Sequence, residues 1–198
     1  MAQKLRFQRP LGERRYKKLF VVSVESSKTE PQYFAIFNQP QSIILVKCLK
    51  RPSTESSPIQ VLKKMQGYLR KESLRKTDEA WIVVDKDDWT EDQLRELLQW
   101  AKNSENHGFA LSNPNFQYWL LLHFEHGKGI ANPQECQSRL KRHLPNYKKD
   151  IDSKKITLEL IAKAISRAKQ RDTNRPYDLP LIWSTTVYKL VEKIIDHK

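Results

Sequence analysis

Four short apolar runs punctuate the first half of the chain: KLFVVSV (18–24), SIILVKC (42–48), AWIVVDKDD (80–88) and GFALS (108–112). Each is too short for a helix of ordinary length and rich in β-branched or aromatic residues, so each reads as a buried strand. Between them lie segments with helical spacing. Residues 29–38 place Tyr33, Phe34 and Phe37 on one side, 59–73 carry Ile59, Leu62, Met65 and Leu69, and 90–102 start at Thr90, a residue suited to cap a helix. NPNFQYWLLLHF (113–124) opens with a turn signal and continues as an apolar helix, and further helices are predicted over 133–145, 156–170 and 184–196. Strands alternating with helices define an α/β fold, with a mostly parallel central sheet flanked by helices and extra helices at its C-terminal end. Residues 18–198 read as one domain, preceded by a basic arm over 1–17 whose composition predicts flexibility.

In sheets of this kind ligands bind at the carboxyl ends of the strands. Polar groups collect there in this sequence: Glu25 after the first run, Asp85, Asp87 and Asp88 after the third, Ser112 and Asn113 after the fourth. An extended chain turns alternate side chains the same way, so Asp85 and Asp87 can converge on one hard cation, with Asp88 reaching it through water. Aspartates also cap turns and helices, and a lone strand-end glutamate is commonly solvated, so the spacing admits both roles. Three neighbouring carboxylates repel one another unless a divalent cation or basic groups neutralise them. Mg²⁺ held there would suit phosphodiester hydrolysis. Glu30 reads differently. SKTE has the spacing of a capping box, with Ser27 as the cap and Glu30 reaching back, although Thr29 could cap instead and a site role stays open. Pro31 suits a first helical turn. Lys28 is equally suited to phosphate contact or to solvent.

The 198 residues carry a formal net charge of +13, and the pI is about 9.7. Such a field attracts polyanions, and nucleic acid, DNA or RNA, is the expected partner. The cations cluster in the N-terminal arm, Arg14 and Arg15 among them, in a stretch containing Lys148 and Lys149, and over 163–171. No apolar run approaches the ~18 residues a membrane span needs, and the basic N-terminus lacks the apolar core of a secretory signal. Cys48 and Cys136 form no CxxC pair, so a reduced, cytoplasmic protein without a zinc centre is expected. His123 and His126 stand at helical i, i+3 spacing, but HExxH is absent; a buried or interfacial His123 and an exposed His126 are predicted. GxSxG and GxxxxGK[ST] are absent as well, which excludes a nucleophile elbow and a P-loop in this sequence.

Taken in order, VVSVESSKTEPQYF, WIVVDKDD, LSNPNFQYWLLLHF and STTVYKLVEKI resemble the RloB-like family, whose members are found beside bacterial restriction and phage-defence genes. The resemblance covers nearly the whole chain. It implies a compact Toprim-like, Rossmann-like fold of the kind found in topoisomerases, primases and overcoming-lysogenisation-defect nucleases. It further implies Glu25 as general acid/base or metal ligand, Asp85 and Asp87 as the Mg²⁺- or Mn²⁺-binding pair, the Ser112–Pro114 turn along the same edge, and a neighbouring-gene ATPase as partner. Two positions depart from the family pattern. Ser26 stands where glycine usually follows the glutamate, and Gln117 stands where a further carboxylate is usual. Glutamine offers an oxygen but no charge, which points either to a one-metal site or to a weakened or inactive nuclease. A nuclease, a non-catalytic nucleic-acid-binding or adaptor subunit, and a nucleotide-sensing module are therefore the three readings the sequence carries.

Overall fold

A computed structural model describes residues 17–49, 57–87, 89–148, 150–172 and 179–197. The basic arm, apart from Lys17, lies outside the described residues. At the centre is a five-stranded sheet of order β2-β1-β3-β4-β5, formed by β1 (Lys18–Val24), β2 (Ile44–Leu49), β3 (Glu79–Asp85), β4 (His107–Asn113) and β5 (Ser184–Thr185). The first four strands are parallel; Val22 stands level with Cys48 on one side and Trp81 on the other. β5 runs antiparallel to β4 and sets Thr185 against Ser112. The helix expected over 184–196 therefore begins only at Val187, because the two residues before Thr186 are spent on strand pairing.

Seven helices cover the sheet among the described residues: α1 (Thr29–Ala35), α2 (Pro58–Leu69), α3 (Glu91–Lys102), α4 (Phe116–Leu122), α5 (Pro133–His143), α6 (Leu158–Lys169) and α7 (Val187–Asp196). The period of two along each strand divides the core. Val21, Ile82, Val84 and Leu111 face α2 and α3, meeting Val61, Leu62, Met65, Leu94 and Leu97. Phe20, Val22, Val24, Trp81, Val83 and Ala110 face the other way, into a larger cluster with Tyr33, Phe34, Phe116, Trp119, Ile161 and Leu190. Both faces being covered explains why β1 and β3 read as unbroken apolar runs, whereas β2 alternates buried and exposed residues. No described helix is long and apolar enough to cross a membrane.

Two local devices shape the sheet. At Gly108 a Cβ would stand 2.3 Å from Trp81 Cδ2, so β4 approaches the indole more closely than any other residue allows. On the outer edge, Lys18 N–H bonds the Ile43 carbonyl at 2.8 Å, which leaves the even-numbered backbone groups of β2 pointing outward. Asn38 occupies both groups of Val46, its Nδ2 donating to the carbonyl at 2.9 Å and its Oδ1 accepting from the N–H at 2.8 Å. Ser42 Oγ accepts from Ile44 N–H at 3.2 Å.

Candidate functional site

From β1 the chain crosses outward to β2, and from β3 it crosses the opposite way to β4. The topological switch point thus lies between the carboxyl ends of β1 and β3, where a crevice opens. Glu25 follows one of these strands and Asp85 ends the other. They meet directly: Glu25 Oε2 accepts from the Asp85 backbone N–H at 3.2 Å, and Oε1 accepts from Trp89 Nε1 at 3.3 Å. Two N–H donors therefore orient the Glu25 carboxylate across the crevice. Beyond Asp85 the backbone is stitched to the turn after β4. Lys86 N–H donates to the carbonyls of Ser112 and Pro114 at 2.8 and 3.0 Å, and Asp87 N–H to Pro114 at 3.0 Å. Asp87 is exposed and sits at φ 31°, a left-handed turn conformation that aspartate tolerates better than most residues. Asp88 falls outside the described residues.

Glu30 reaches back as expected, but in different surroundings. Neither Ser27 nor Thr29 caps α1: the N-cap is Lys28, with no side-chain cap bond, and Ser26 Oγ accepts from the N–H groups of Lys28 and Thr29 at 3.1 and 3.0 Å in the turn leading into the helix. Glu30 does reach back, to the hydroxyl and backbone N–H of Ser26. It is nevertheless buried, 3 % exposed, because α1 turns this side toward the sheet. Its Oε2 has no hydrogen-bond partner among the described residues, and the same holds for Asp85 Oδ1 and Asn115 Oδ1.

The electrostatics follow from this crowding. Burial pushes the Asp85 carboxyl well above the usual carboxylate range, and the charges of Glu30, Asp87 and Glu25 push the same way against a hydrogen bond from the Phe116 backbone. Burial likewise raises Glu30; its bonds to Ser26 oppose this, and Glu25 adds to it. Cys48, at the end of β2, is pushed up to about 12 by burial and by Glu30, with Lys64 pulling the other way. Lys64 comes from α2 and donates to the Val24 carbonyl at 2.9 Å, so a cation reaches the residue just before Glu25.

Carboxyl groups raised first by burial and then by one another's charge have two ways to relax: take up protons, or share a cation. Glu25, Glu30, Asp85 and Asp87 offer only oxygen, the donor that hard divalent ions take, and the charges of the other three act on Asp85. Among the described residues no three His, Cys, Asp or Glu side chains are grouped so that they could hold a metal ion. A cavity of about 740 Å³ lined by Lys18, Lys76, Glu79 and His197 opens at the opposite, amino-terminal edge of the strands, so cavity size does not mark the acidic edge.

The remaining predicted residues are dispersed. Ser112 is fully buried with its hydroxyl 3.0 Å from Thr185 Oγ1, so its side chain holds β5, while its backbone carbonyl accepts from Lys86 N–H along the edge. Asn113 Nδ2 donates to the Pro180 carbonyl at 2.9 Å. Lys28 and Lys148 are exposed and Gln117 is half-buried on the first turn of α4. Arg14, Arg15 and Lys149 lie outside the described residues. His123 is fully buried and His126 exposed. The Trp119 carbonyl 3.0 Å from His123 Nδ1 can only accept, so Nδ1 carries the proton and Nε2, at 3.2 Å, accepts from the Tyr33 hydroxyl. Burial lowers this imidazole to about 4, so it is a neutral core residue at ordinary pH. Lys64 and Trp89 escaped the sequence reading.

A five-stranded, mostly parallel mixed sheet flanked by helices, with carboxylates at the strand ends beside its switch point, defines an α/β protein of the doubly wound kind. The chain matches the family model described as RloB-like protein over residues 20–194 and belongs to that family. No curated protein and no solved structure matches it.

Proposed function

We propose that the chain is a divalent-cation-dependent nuclease of the Toprim type, cleaving phosphodiester bonds in DNA or RNA, tRNA included. The observation that carries the reading is the switch-point cluster: Glu25 bonded to the backbone of Asp85, with unpartnered, buried oxygens on Asp85 and Glu30. Glu25, Asp85, Asp87 and Asp88 would hold Mg²⁺ or Mn²⁺, and Glu30 joins them as a ligand. Such an ion, when bound, lowers the pKa of a coordinated water and stabilises a leaving oxygen. The protein's own groups do the rest. Asp85 N–H and Trp89 Nε1 hold Glu25 as a fixed acceptor for a proton from the attacking water. Lys28, Lys148, Lys149, Arg14 and Arg15 supply cations for the phosphate backbone.

Ser26 is compatible with this chemistry, because its hydroxyl orders the turn into α1 and supports Glu30. Gln117 favours a second reading, a non-catalytic adaptor subunit that binds nucleic acid, since a neutral amide on the first turn of α4 weakens any second ion site. A role in phage defence beside a neighbouring-gene ATPase follows from the family resemblance alone. The deciding experiment incubates the purified chain, with and without that ATPase, with plasmid, single-stranded DNA and total tRNA. Mg²⁺, Mn²⁺ and EDTA are compared, and Asp85→Ala is run in parallel. Cleavage that disappears in EDTA and in Asp85→Ala is expected. Cleavage indifferent to both refutes the cation-dependent reading, and salt-sensitive binding without cleavage in any arm establishes the adaptor.

A further inference from the structure

The segment Leu179–Trp183, LPLIW, reaches the acidic edge by a route that the strand-end acids do not use. Antiparallel pairing of Ser184 with Asn113 brings it to the carboxyl end of β4. It is held there firmly. The Pro180 carbonyl accepts from Asn113 Nδ2 at 2.9 Å, the Leu181 carbonyl from Ser184 Oγ at 2.5 Å, and the Trp183 carbonyl from Arg171 Nη1 at 3.2 Å. Leu179 leans on the α2/α3 core and Trp183 on the opposite core, with the Trp183 ring 5.6 Å from that of Tyr118. Trp183 adopts φ 58°, a left-handed conformation that a bulky aromatic rarely takes. Between these anchors Leu181 and Ile182 point outward, 61 % and 68 % exposed, the two most exposed large apolar side chains among the described residues.

Apolar side chains on a loose loop would fold back or move freely. These two are presented by a pinned backbone, at the rim of an edge already tied to the β3 acids through the Lys86 and Asp87 bonds to the same turn. Two side chains are far short of the ~800 Å² per partner that a stable protein interface buries. They do match the aliphatic wedges with which nucleic-acid-binding proteins part neighbouring bases. The formal charge of +13 selects a polyanion over an apolar surface.

We propose that Leu181 and Ile182 form a wedge that enters a base step of the bound nucleic acid beside the acidic edge, unstacking the bases where the backbone meets Glu25 and Asp85. This rests on the nucleic-acid reading above, but needs no cleavage. The test uses the full chain in EDTA with single- and double-stranded oligonucleotides carrying 2-aminopurine, whose fluorescence rises when it is unstacked. Binding by the wild type is expected to raise the signal several-fold. The double variant Leu181→Ser/Ile182→Ser should keep its melting temperature and its salt slope and lose at least half of the rise; Leu181→Met/Ile182→Met should keep it. A wild type that binds without a rise, or a serine variant that retains the rise, overturns the wedge and leaves the nucleic-acid reading standing. No salt-dependent binding by the wild type removes both. A serine variant whose oligomeric state changes instead assigns these residues to contact between copies of the chain, and also overturns the wedge.

Discussion

Replacing Glu30 with glutamine should make the cation-free protein more stable and the cation-loaded protein less so. Glu30 is 3 % exposed, one oxygen lacks a partner, and its carboxyl titrates above its ordinary value of 4.5. A carboxyl raised on folding favours the protonated form. Below about pH 4.5 it is protonated whether the chain is folded or not, and ionisation has no effect on stability. As pH rises past that value the unfolded chain ionises first, and the folded state is penalised up to and beyond its own higher pKa. Glutamine has the same shape and cannot ionise. Relief of a buried, incompletely bonded acceptor is worth about 1–3 kcal/mol, or roughly 2–10 °C in melting temperature for a domain of this size. The gain should be larger at pH 8 than at pH 6 or below, and vanish near pH 4. A divalent ion reverses the order, because ligand at a hundred times its Kd stabilises the folded state by ~2.7 kcal/mol and Glu30→Gln has lost a ligand. The assay is thermal melting of both proteins at pH 4 and pH 8, in EDTA and in Mn²⁺. A variant destabilised by the same amount at both pH values, with no response to Mn²⁺ in either protein, would refute the reasoning and return Glu30 to a plain helix cap.

Other perturbations test other parts. Gly108→Ala drives a methyl to 2.3 Å from Trp81, an indole fixed by its Nε1 bond to Glu79 at 3.0 Å; a loss of about 3 kcal/mol in urea unfolding is expected. His123 is lowered to about 4 from 6.5, so the stability it contributes is whole above pH 6.5 and falls by about 3 kcal/mol as pH drops toward 4. His123→Phe should flatten that acid limb and lose about 1–2 kcal/mol at pH 8, where the Tyr33 hydroxyl loses its acceptor. Lys64→Met removes the ammonium from the Val24 carbonyl; a drop of about 1–2 kcal/mol and slower cation-dependent cleavage are expected, with Lys64→Arg recovering both.

β1 and β3 were legible because both of their faces are buried, which leaves an unbroken apolar run in the sequence; β2 was legible from its β-branched composition, although Leu45 and, just before the strand, Ile43 are exposed. β5 was not. Ser184 and Thr185 are two polar residues whose pairing is decided by Ser112 across the sheet, and nothing local announces it. The acids at the switch point were visible for a topological reason: strand ends can be counted before the strands are ordered. Glu30 was ambiguous because S-x-x-E spacing is the same whether α1 shows its first turn to water or to the sheet, and tertiary packing alone decides which. Lys64 occupies a place on α2 between Val61 and Met65 that any solvent-facing lysine could hold; its contact with Val24 depends on where α2 crosses β1.

The side chain of Asn38 has a consequence for how this molecule meets others. Its carboxamide reproduces, at Val46, the donor and acceptor that an adjoining strand would present, while Ser42 takes the Ile44 N–H. The outer margin of the sheet is thereby terminated by two short polar residues instead of by a further strand. An incoming peptide must evict Asn38 before it can zip onto the sheet, so ribbon-like growth from copy to copy is blocked at its first rung.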